Sequence, residues 1–183
     1  MAYRNGIYVA FDGLDTTSPI LGDIKYFNLL KGWKAVNSDE FIFSDSHKKT
    51  NQVRDNTTKE YLKSVLRRRF SHSKSMILIL TDNTRPDREL LNYEIKKAIE
   101  LGLPIIICYT SVQSPIYNPI YLKPYWPHEL RVGIENGTAK CIHIPFKKLP
   151  IFDAVSQFSI HGKDILNSYS FYGLDAYKKF GLA

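Results

Sequence analysis

Cysteine is scarce in this sequence, and the residues that bind metals or act as nucleophiles form no recognisable site. Cys108 and Cys141 both lie within apolar runs, "IIICYT" and "KCIHIPF", and are expected to be buried, unreactive thiols. The histidines lack the spacing of metal ligands, and none forms a catalytic arrangement with a serine or a cysteine. They are His47, His72, His128, His143 and His161. We therefore predict neither a metal centre nor a nucleophilic side chain.

Long hydrophobic runs and a leader are also absent. No apolar stretch is long enough to cross a bilayer. The first residues, "MAYRNGIYVAF", do not show the charged, apolar and small-residue segments of a secretory signal. These absences predict a cytoplasmic protein that does not span a membrane.

Basic residues are in excess but are not concentrated in one place. The formal net charge is +7, yet the densest basic run, 67–69, falls where a helix is expected to end. Cations at that position complement the helix dipole. No segment interleaves basic and aromatic residues as nucleic-acid-binding modules do. The charge fits a small anionic ligand as well as RNA or DNA, and we do not expect a nucleic-acid partner.

The composition is that of a folded protein, and its pattern alternates between strands and helices. Of the 183 residues, 44% are apolar and 23% are charged, which allows one domain with a sizeable core. Strand-like runs lie at 6–11, 40–44, 75–80, 104–110 and 140–146, and helical segments at 22–33, 57–73, 87–102 and 150–160. Most strand-like runs are continuous, which is typical of strands covered on both faces.

This alternation predicts an α/β fold of the flavodoxin-like type. We expect a doubly wound parallel sheet of five strands in the order 2-1-3-4-5, with helices on both faces. A ligand crevice then forms beyond the carboxyl ends of strands 1 and 3, where the strand order reverses. The loops at these ends are 11–19 and 81–89, so we expect a functional site there.

Two segments do not fit the alternation. Residues 111–130 contain four prolines and four tyrosines or tryptophans, which indicates either a surface loop held by its aromatics or a lid over the site. Residues 162–183 carry five aromatics and are expected to pack on the domain or to form an interface. We divide the chain into a domain at 1–160, including the insertion, and a C-terminal extension at 161–183.

One glutamate stands out in the third helical segment. The apolar stripe of that segment consists of Leu91, Ile95, Ala98 and Ile99. Glu94 lies at the border of the stripe. One interpretation is an edge carboxylate that turns to water or pairs with Lys97. The other is a partly desolvated functional acid, because the helix directly follows a loop of the predicted crevice.

The stretch at 67–107, "RRRFSHSKSMILILTDNTRPDRELLNYEIKKAIELGLPIII", resembles a Toll/interleukin-1 receptor (TIR)-like domain. The similarity is to the bacterial branch found in Thoeris antiphage defence. In that family a helix ends in Ser before an apolar strand, a polar loop follows, and a helix with a Trp-x-x-x-Glu-like motif precedes a Gly-x-Pro-type turn. The matching residues here are Ser73, Ser75, Thr81, Asn83 and Glu94. Leu90 stands where many enzymatic members have tryptophan.

The resemblance covers about residues 5–110, and 139–158 continues it as the last strand and helix. It implies an enzyme that consumes NAD. Members that carry the glutamate cleave the bond between nicotinamide and ribose, and the Thoeris branch rearranges the remainder into a cyclic ADP-ribose signal. Glu94 is thus the expected catalytic residue, NAD is a substrate rather than a permanently bound cofactor, and a downstream effector protein senses the signal. A homo-oligomer is a further expectation. No Gly-x-Gly-x-x-Gly fingerprint follows the first strand.

Substrate contacts are expected in the loops that follow the first three strands. The candidate residues are Phe11, Asp12, Asp45, His47, Thr81 and Asn83. Simple structural interpretations stay open for several of them. Asp12 begins an Asp-Gly pair that is common in turns, and Asp45 fits a solvated Asx turn. Thr81 and Asn83 fit a cap of the next helix.

Two alternatives belong to other functional classes. A phosphorylated receiver domain shares the fold class and would use Asp12, Asp15 and Thr81. However, "IIICYTS" offers no lysine, and only Asp45, on the second strand, is placed to accept phosphate. A non-catalytic TIR-like assembly module is favoured by Leu90 and by the aromatic C-terminal extension.

Overall fold

The computed structural model describes residues 4–15, 22–36, 42–45, 59–163 and 166–183. Within these ranges the side chains of 36, 42–45, 59, 60 and 62 are not described. His47 and the first two residues of the predicted helical segment 57–73 lie outside the described residues.

The described residues form a parallel sheet with helices on both faces. The strands are β1 (Gly6–Ala10), β2 (Ile42–Asp45), β3 (Ser73–Leu80), β4 (Ile105–Tyr109) and β5 (Cys141–Pro145). The helices are α1 (Ile24–Val36), α2 (Lys59–Phe70), α3 (Glu89–Glu100), α4 (His128–Glu135), α5 (Lys148–Gln157) and α6 (Leu174–Lys179), with a 3₁₀ helix at Pro119–Tyr125. The strands lie in the order β2-β1-β3-β4-β5 and pair in parallel. The predicted α/β class with a parallel sheet is confirmed.

Alternation along the strands separates two apolar layers. Ile7 and Val9 of β1 point into the layer formed with α1, α5 and the C-terminal segment. Tyr8 and Ala10 point into the opposite layer, formed with α2, α3 and α4. Because successive side chains of a strand face opposite sides of its sheet, this register decides which of the candidate residues can meet.

The second helix is shorter than its sequence pattern suggests. The predicted segment 57–73 runs through Ser73, but α2 ends at Phe70 and Ser73 begins β3. Ser73 pairs in register with Gly6 of β1, and the Ser73 hydroxyl donates to the Arg69 carbonyl at 3.0 Å. Strand pairing therefore places Ser73 in β3, although helical periodicity had assigned it to the end of the second helix.

Helices α4 and α6 were not predicted. Glycine disfavours a helix interior, yet Gly133 lies within α4 because α3 packs directly against it. A Cβ atom at Gly133 would lie 2.5 Å from Ile99 Cδ1. Helix α6 has only six residues, which is too short for apolar periodicity to identify.

The C-terminal segment runs beside β5 and packs on the α1 and α5 layer. The Cys141 amide donates to the Asn167 carbonyl at 3.0 Å, and the His143 amide donates to the Ser170 carbonyl at 2.9 Å. Tyr177 is fully buried, and its hydroxyl oxygen accepts from the Ile116 amide at 3.2 Å. This contact joins the C-terminal segment to the insertion.

A buried polar network connects the insertion to β4 and β5. The Trp126 indole N–H donates to the Tyr109 hydroxyl at 2.8 Å, and that hydroxyl lies 2.8 Å from His143 Nδ1. His143 Nε2 lies 3.0 Å from the Ser168 carbonyl. Because a carbonyl only accepts, Nε2 carries the imidazole proton and Nδ1 accepts from Tyr109. The network thus holds a neutral histidine.

Acid is expected to destabilise the fold through His143. Burial is the main cause that lowers the pKa of His143 from 6.5 to about 4, against the Ser168 carbonyl, which raises it. The unfolded chain therefore binds a proton between pH 6.5 and 4 that the folded chain excludes, so stability falls as the pH decreases through this window. The loss approaches about 3 kcal/mol.

Histidine NMR titration of the folded protein tests this prediction. We expect the His143 ring to stay neutral at pH 5, although an ordinary histidine side chain with a pKa of about 6.5 would be protonated there. A His143 transition near pH 6.5, the ordinary value for histidine, would contradict it.

Candidate functional site

Glu94 is buried on the inner face of α3. The residue is 3% exposed and lies among Leu91, Ile95 and Ala98. The Tyr8 hydroxyl of β1 donates to Glu94 Oε1 at 2.5 Å. Lys97 pairs with Glu100 at 2.7 Å instead. The interpretation of Glu94 as a water-facing or Lys97-paired edge residue is therefore wrong, because α3 turns this carboxyl toward the sheet.

Desolvation dominates the electrostatics of Glu94. Burial raises the pKa of Glu94 from 4.5 to about 8, although the Tyr8 hydroxyl and the charge of Arg69 lower it. Stacking on Phe70, at 4.0 Å between ring centroids, holds the Tyr8 ring in place. In this arrangement the carboxyl is mostly protonated at neutral pH. A charged group that comes close to Glu94 would therefore change the ionisation of its carboxyl group.

Asp12 joins the loops that follow β1 and β3. Its side chain is buried and accepts from Arg85 Nε at 2.8 Å and from Arg85 Nη2 at 2.7 Å. The amides of Leu14 and Arg85 donate to the same carboxylate at 3.0 and 3.1 Å. Burial would raise the pKa of Asp12, but these hydrogen bonds together lower it below its ordinary value. Asp12 therefore does more than form the local turn, since it anchors one loop to the other.

Asp15 and Arg88 extend this contact toward solvent. Asp15 Oδ2 accepts from Arg85 Nη1 at 2.5 Å, and Asp15 Oδ1 accepts from Arg88 Nη2 at 2.6 Å. Hydrogen bonds from Arg85 are the main cause that lowers the pKa of Asp15. We call Asp12, Asp15, Arg85 and Arg88 the loop ion cluster. It occupies the carboxyl ends of β1 and β3, where the ligand crevice was predicted.

A second buried acid lies at the same end of the sheet. The Thr81 hydroxyl donates to Asp23 Oδ1 at 3.0 Å, and Asp23 is 2% exposed. Burial raises the pKa of Asp23 to about 6, with Thr81 lowering it and Asp12 raising it. Sequence reasoning missed Asp23, because an acid directly before an apolar helix is also the ordinary signal for a helix start.

Thr81 and Asn83 do not cap the next helix. Arg88 is the N-cap residue of α3 and makes no side-chain cap hydrogen bond. The Thr81 hydroxyl accepts from the Asn83 amide at 3.2 Å, and the Asn83 side chain is exposed. The capping interpretation is therefore wrong for both residues, whose contacts are made within the loop and with Asp23.

The structure brings only part of the predicted set together. Phe11 is 3% exposed and packs against Phe27 at 5.8 Å between ring centroids, in the layer opposite to Glu94. Asp45 pairs with Val9 through its backbone, and its side chain is not described. Asp12, Thr81 and Asn83 share one end of the sheet, and α3 connects that end to Glu94.

A comparison with known protein families identifies the family of this chain. The family described as "Thoeris protein ThsB, TIR-like domain" matches residues 8–114. This span covers more than half of the chain and contains Tyr8, the loop ion cluster and Glu94. The chain belongs to the Thoeris TIR-like family. Membership in this family associates the chain with antiphage defence, as the sequence resemblance indicated. The later part of the insertion, β5 and the C-terminal segment lie beyond the matched residues.

The described residues of this Thoeris family member include neither a membrane span nor a metal-binding cluster. No described helix combines the length and the apolar character needed to cross a membrane. Within the same described ranges, no three or more His, Cys, Asp or Glu side chains are grouped in a way that would hold a metal ion. The candidate site consists of Glu94 and the loops at the carboxyl ends of β1 and β3.

Proposed function

We propose that this chain cleaves NAD at the bond between nicotinamide and ribose, with Glu94 as the catalytic carboxylate. The observation that supports the proposal is a glutamate buried on α3 at 3% exposure, with its acidity controlled by the surroundings. Perturbed acids of this kind occur preferentially at functional sites. Family membership adds that the chain is a Thoeris TIR-like domain.

The proposed reaction suits a single carboxylate. When the carbon–nitrogen bond breaks, its electron pair stays on nicotinamide, which leaves as a neutral molecule and needs no general acid. The ribose becomes cationic in the transition state, and an anionic Glu94 stabilises that charge most strongly where water is excluded. The ribosyl cation is then captured by water, or by an atom of the adenosine half to give a cyclic ADP-ribose product.

The positive charge of the substrate can ionise Glu94 by lowering its pKa. The nicotinamide ring of NAD is a cation, and a cation near a carboxyl group lowers its pKa. A pKa of about 8 places Glu94 close to the point at which such a neighbour converts it to the carboxylate. The Tyr8 hydroxyl binds the same carboxyl group, so productive binding requires that this hydrogen bond be shared with, or replaced by, a ribose hydroxyl.

The candidate contacts for the rest of NAD belong to the same proposal. We assign the ribose and phosphate contacts to the loops that follow the first three strands. The residues are Phe11, Asp12, Asp45, His47, Thr81 and Asn83. Among them, Asp12, Thr81 and Asn83 are supported by their common position at the carboxyl ends of β1 and β3. The product would act in the cytoplasm as a diffusible signal to an effector protein, and the enzyme would work as a homo-oligomer without a permanently bound cofactor.

A non-catalytic assembly module is the second candidate function. Leu90 is a partly buried apolar residue of α3 that packs on the layer formed with α2 and α4, and it offers no aromatic ring on which a base could stack. Large apolar side chains are exposed on the insertion and the C-terminal segment. They include Tyr117, Ile120, Tyr121, Phe171 and Leu174. Such residues suit contacts between copies.

Nicotinamide release distinguishes the two functions. Purified protein would be incubated with NAD, alone and with a lysate of phage-infected cells that supplies a trigger. We expect release of nicotinamide in the presence of the trigger, and mass spectrometry of the products separates linear from cyclic ADP-ribose. No release under either condition, with assembly in the infected lysate, would favour the module.

A further inference from the structure

The loop ion cluster contains two arginines that share one exposed carboxylate. Each oxygen of Asp15 accepts from a different guanidinium, Oδ2 from Arg85 and Oδ1 from Arg88. The side chains of Arg85, Arg88 and Asp15 are 40%, 38% and 60% exposed. Two converging guanidinium groups with an oxyanion between them are the arrangement that proteins use to bind phosphate.

We propose that Arg85 and Arg88 form a binding site for the diphosphate group of a nucleotide, and that Asp15 occupies this site when the ligand is absent. The two oxygens of Asp15 take the places of two phosphate oxygens. Binding exchanges one oxyanion for another, so the hydrogen-bonding capacity of both arginines stays satisfied.

The charges of the cluster favour this exchange. With Asp15 bound, two arginines face two aspartates and the cluster is neutral. Asp12 is buried and keeps its bonds to Arg85 Nε and Nη2 and to two backbone amides, so it stays when a ligand enters. Once Asp15 has left, one positive charge remains uncompensated and can meet a polyanion. The other acids of this loop, Asp82 and Asp87, are exposed, where water and salt screen them.

Asp15 is the member of the cluster that can leave. The Asp15 side chain is the most exposed of the four side chains in the cluster. An exposed ion pair contributes little to stability. Leu14 and Asp15 both have left-handed backbone conformations, with φ of 49° and 54°, which residues other than glycine rarely adopt. Release of Asp15 lets this turn relax while the carboxylate is hydrated by water.

The position of the pair suits a dinucleotide that reaches Glu94. Arg88 directly precedes α3, and Glu94 follows it by six residues, about 9 Å along the helix axis. In NAD one ribose separates the diphosphate from the bond that is cleaved. The assignment of the diphosphate to NAD rests on the proposed function, whereas the anion site itself does not.

Calorimetric titration with pyrophosphate and with ADP-ribose tests the proposal on the full chain. We expect Arg88→Gln to weaken binding roughly tenfold, since one charge-assisted contact is lost. Asp15→Asn should strengthen binding roughly tenfold, because the competing anion is removed. Preference for ADP-ribose over pyrophosphate would identify the ligand as a nucleotide, and equal binding would identify a simple phosphate site.

A matched control uses another exposed ion pair of similar length. Lys123 and Glu135 lie 2.6 Å apart and are 50% and 46% exposed, and Lys123→Gln should leave both affinities unchanged. Absence of binding in all proteins, or equal affinities for wild type, Arg88→Gln and Asp15→Asn with unchanged circular dichroism, would overturn the site. Because binding is measured without chemistry, an inactive protein that binds ADP-ribose would refute the proposed cleavage but not the anion site.

Discussion

Replacing Glu94 with glutamine is expected to reduce nicotinamide release from NAD by roughly a hundredfold or more. The amide keeps the size of the carboxyl group and can still accept a hydrogen bond from Tyr8, but it cannot carry the negative charge that stabilises a cationic ribose. Loss of one preorganised electrostatic group in a buried site typically costs about 3–4 kcal/mol of transition-state stabilisation. The measurement is the initial rate of nicotinamide release under triggering conditions.

The same substitution should make the fold more stable at neutral and alkaline pH. The pKa of Glu94 is raised from 4.5 to about 8 in the folded chain, so the unfolded chain loses its proton first. The contribution of Glu94 to stability is complete below pH 4.5 and is lost as the pH rises toward 8. At pH 7 this deprotonation lowers the free energy of unfolding of the wild type by about 3 kcal/mol, and Glu94→Gln does not have this loss. Urea unfolding of both proteins at pH 5 and pH 8 measures this difference.

Two further variants control the assignment of Glu94. Glu100→Gln changes an exposed acid on the same helix, which pairs with Lys97, and should leave the rate unchanged. Tyr8→Phe removes the hydrogen bond that lowers the pKa of Glu94, so the pH at which the rate rises should move upward. Undiminished turnover in Glu94→Gln would end the catalytic assignment, even if its gain in stability were observed.

Replacing Tyr109 with phenylalanine is expected to reduce the free energy of unfolding by about 2 to 6 kcal/mol. The Tyr109 hydroxyl is the partner of both the Trp126 indole N–H and His143 Nδ1, and all three residues are buried. Without the hydroxyl, two buried polar groups lose their partner, at about 1–3 kcal/mol each. This is a large fraction of the total stability of an ordinary domain.

Chemical denaturation at pH 7 measures the effect of Tyr109→Phe. Tyr121→Phe is the matched control, since Tyr121 is 80% exposed and its variant should unfold at the same denaturant concentration as the wild type. Equal stability of Tyr109→Phe and wild type would mean that water replaces the hydroxyl and that the network contributes little.

The fold class could be predicted because the strands are continuous apolar runs and the helices have clear ends. Gly102, the last residue of the predicted helical segment, has φ of 65° and lies just beyond the end of α3. Helix α4 escaped prediction because its identity depends on tertiary packing, with Gly133 in contact with Ile99. The local pattern of apolar residues cannot predict such a contact between distant parts of the sequence. The predicted end of α2 was wrong for a related reason, because Ser73 pairs with Gly6, which is distant in the sequence.

The candidate site was predictable in its location more than in its contacts. The rule for parallel sheets places ligand crevices where β1 and β3 end, and Asp12 and Thr81 do lie there. Helical periodicity placed Glu94 at the border of the apolar stripe, but it could not reveal that Tyr8 of β1 meets it. The pairing of Asp12 with Arg85 joins residues 73 positions apart, and no spacing within either loop indicates it.

The segment beside β5 has a consequence for how copies of this chain can associate. An unpaired outer strand offers its amides and carbonyls to any neighbouring molecule and so invites strand-by-strand growth. Here the backbone of Asn167 and Ser170 already receives the β5 amides. Growth of a filament by adding strands at the β5 edge is therefore blocked.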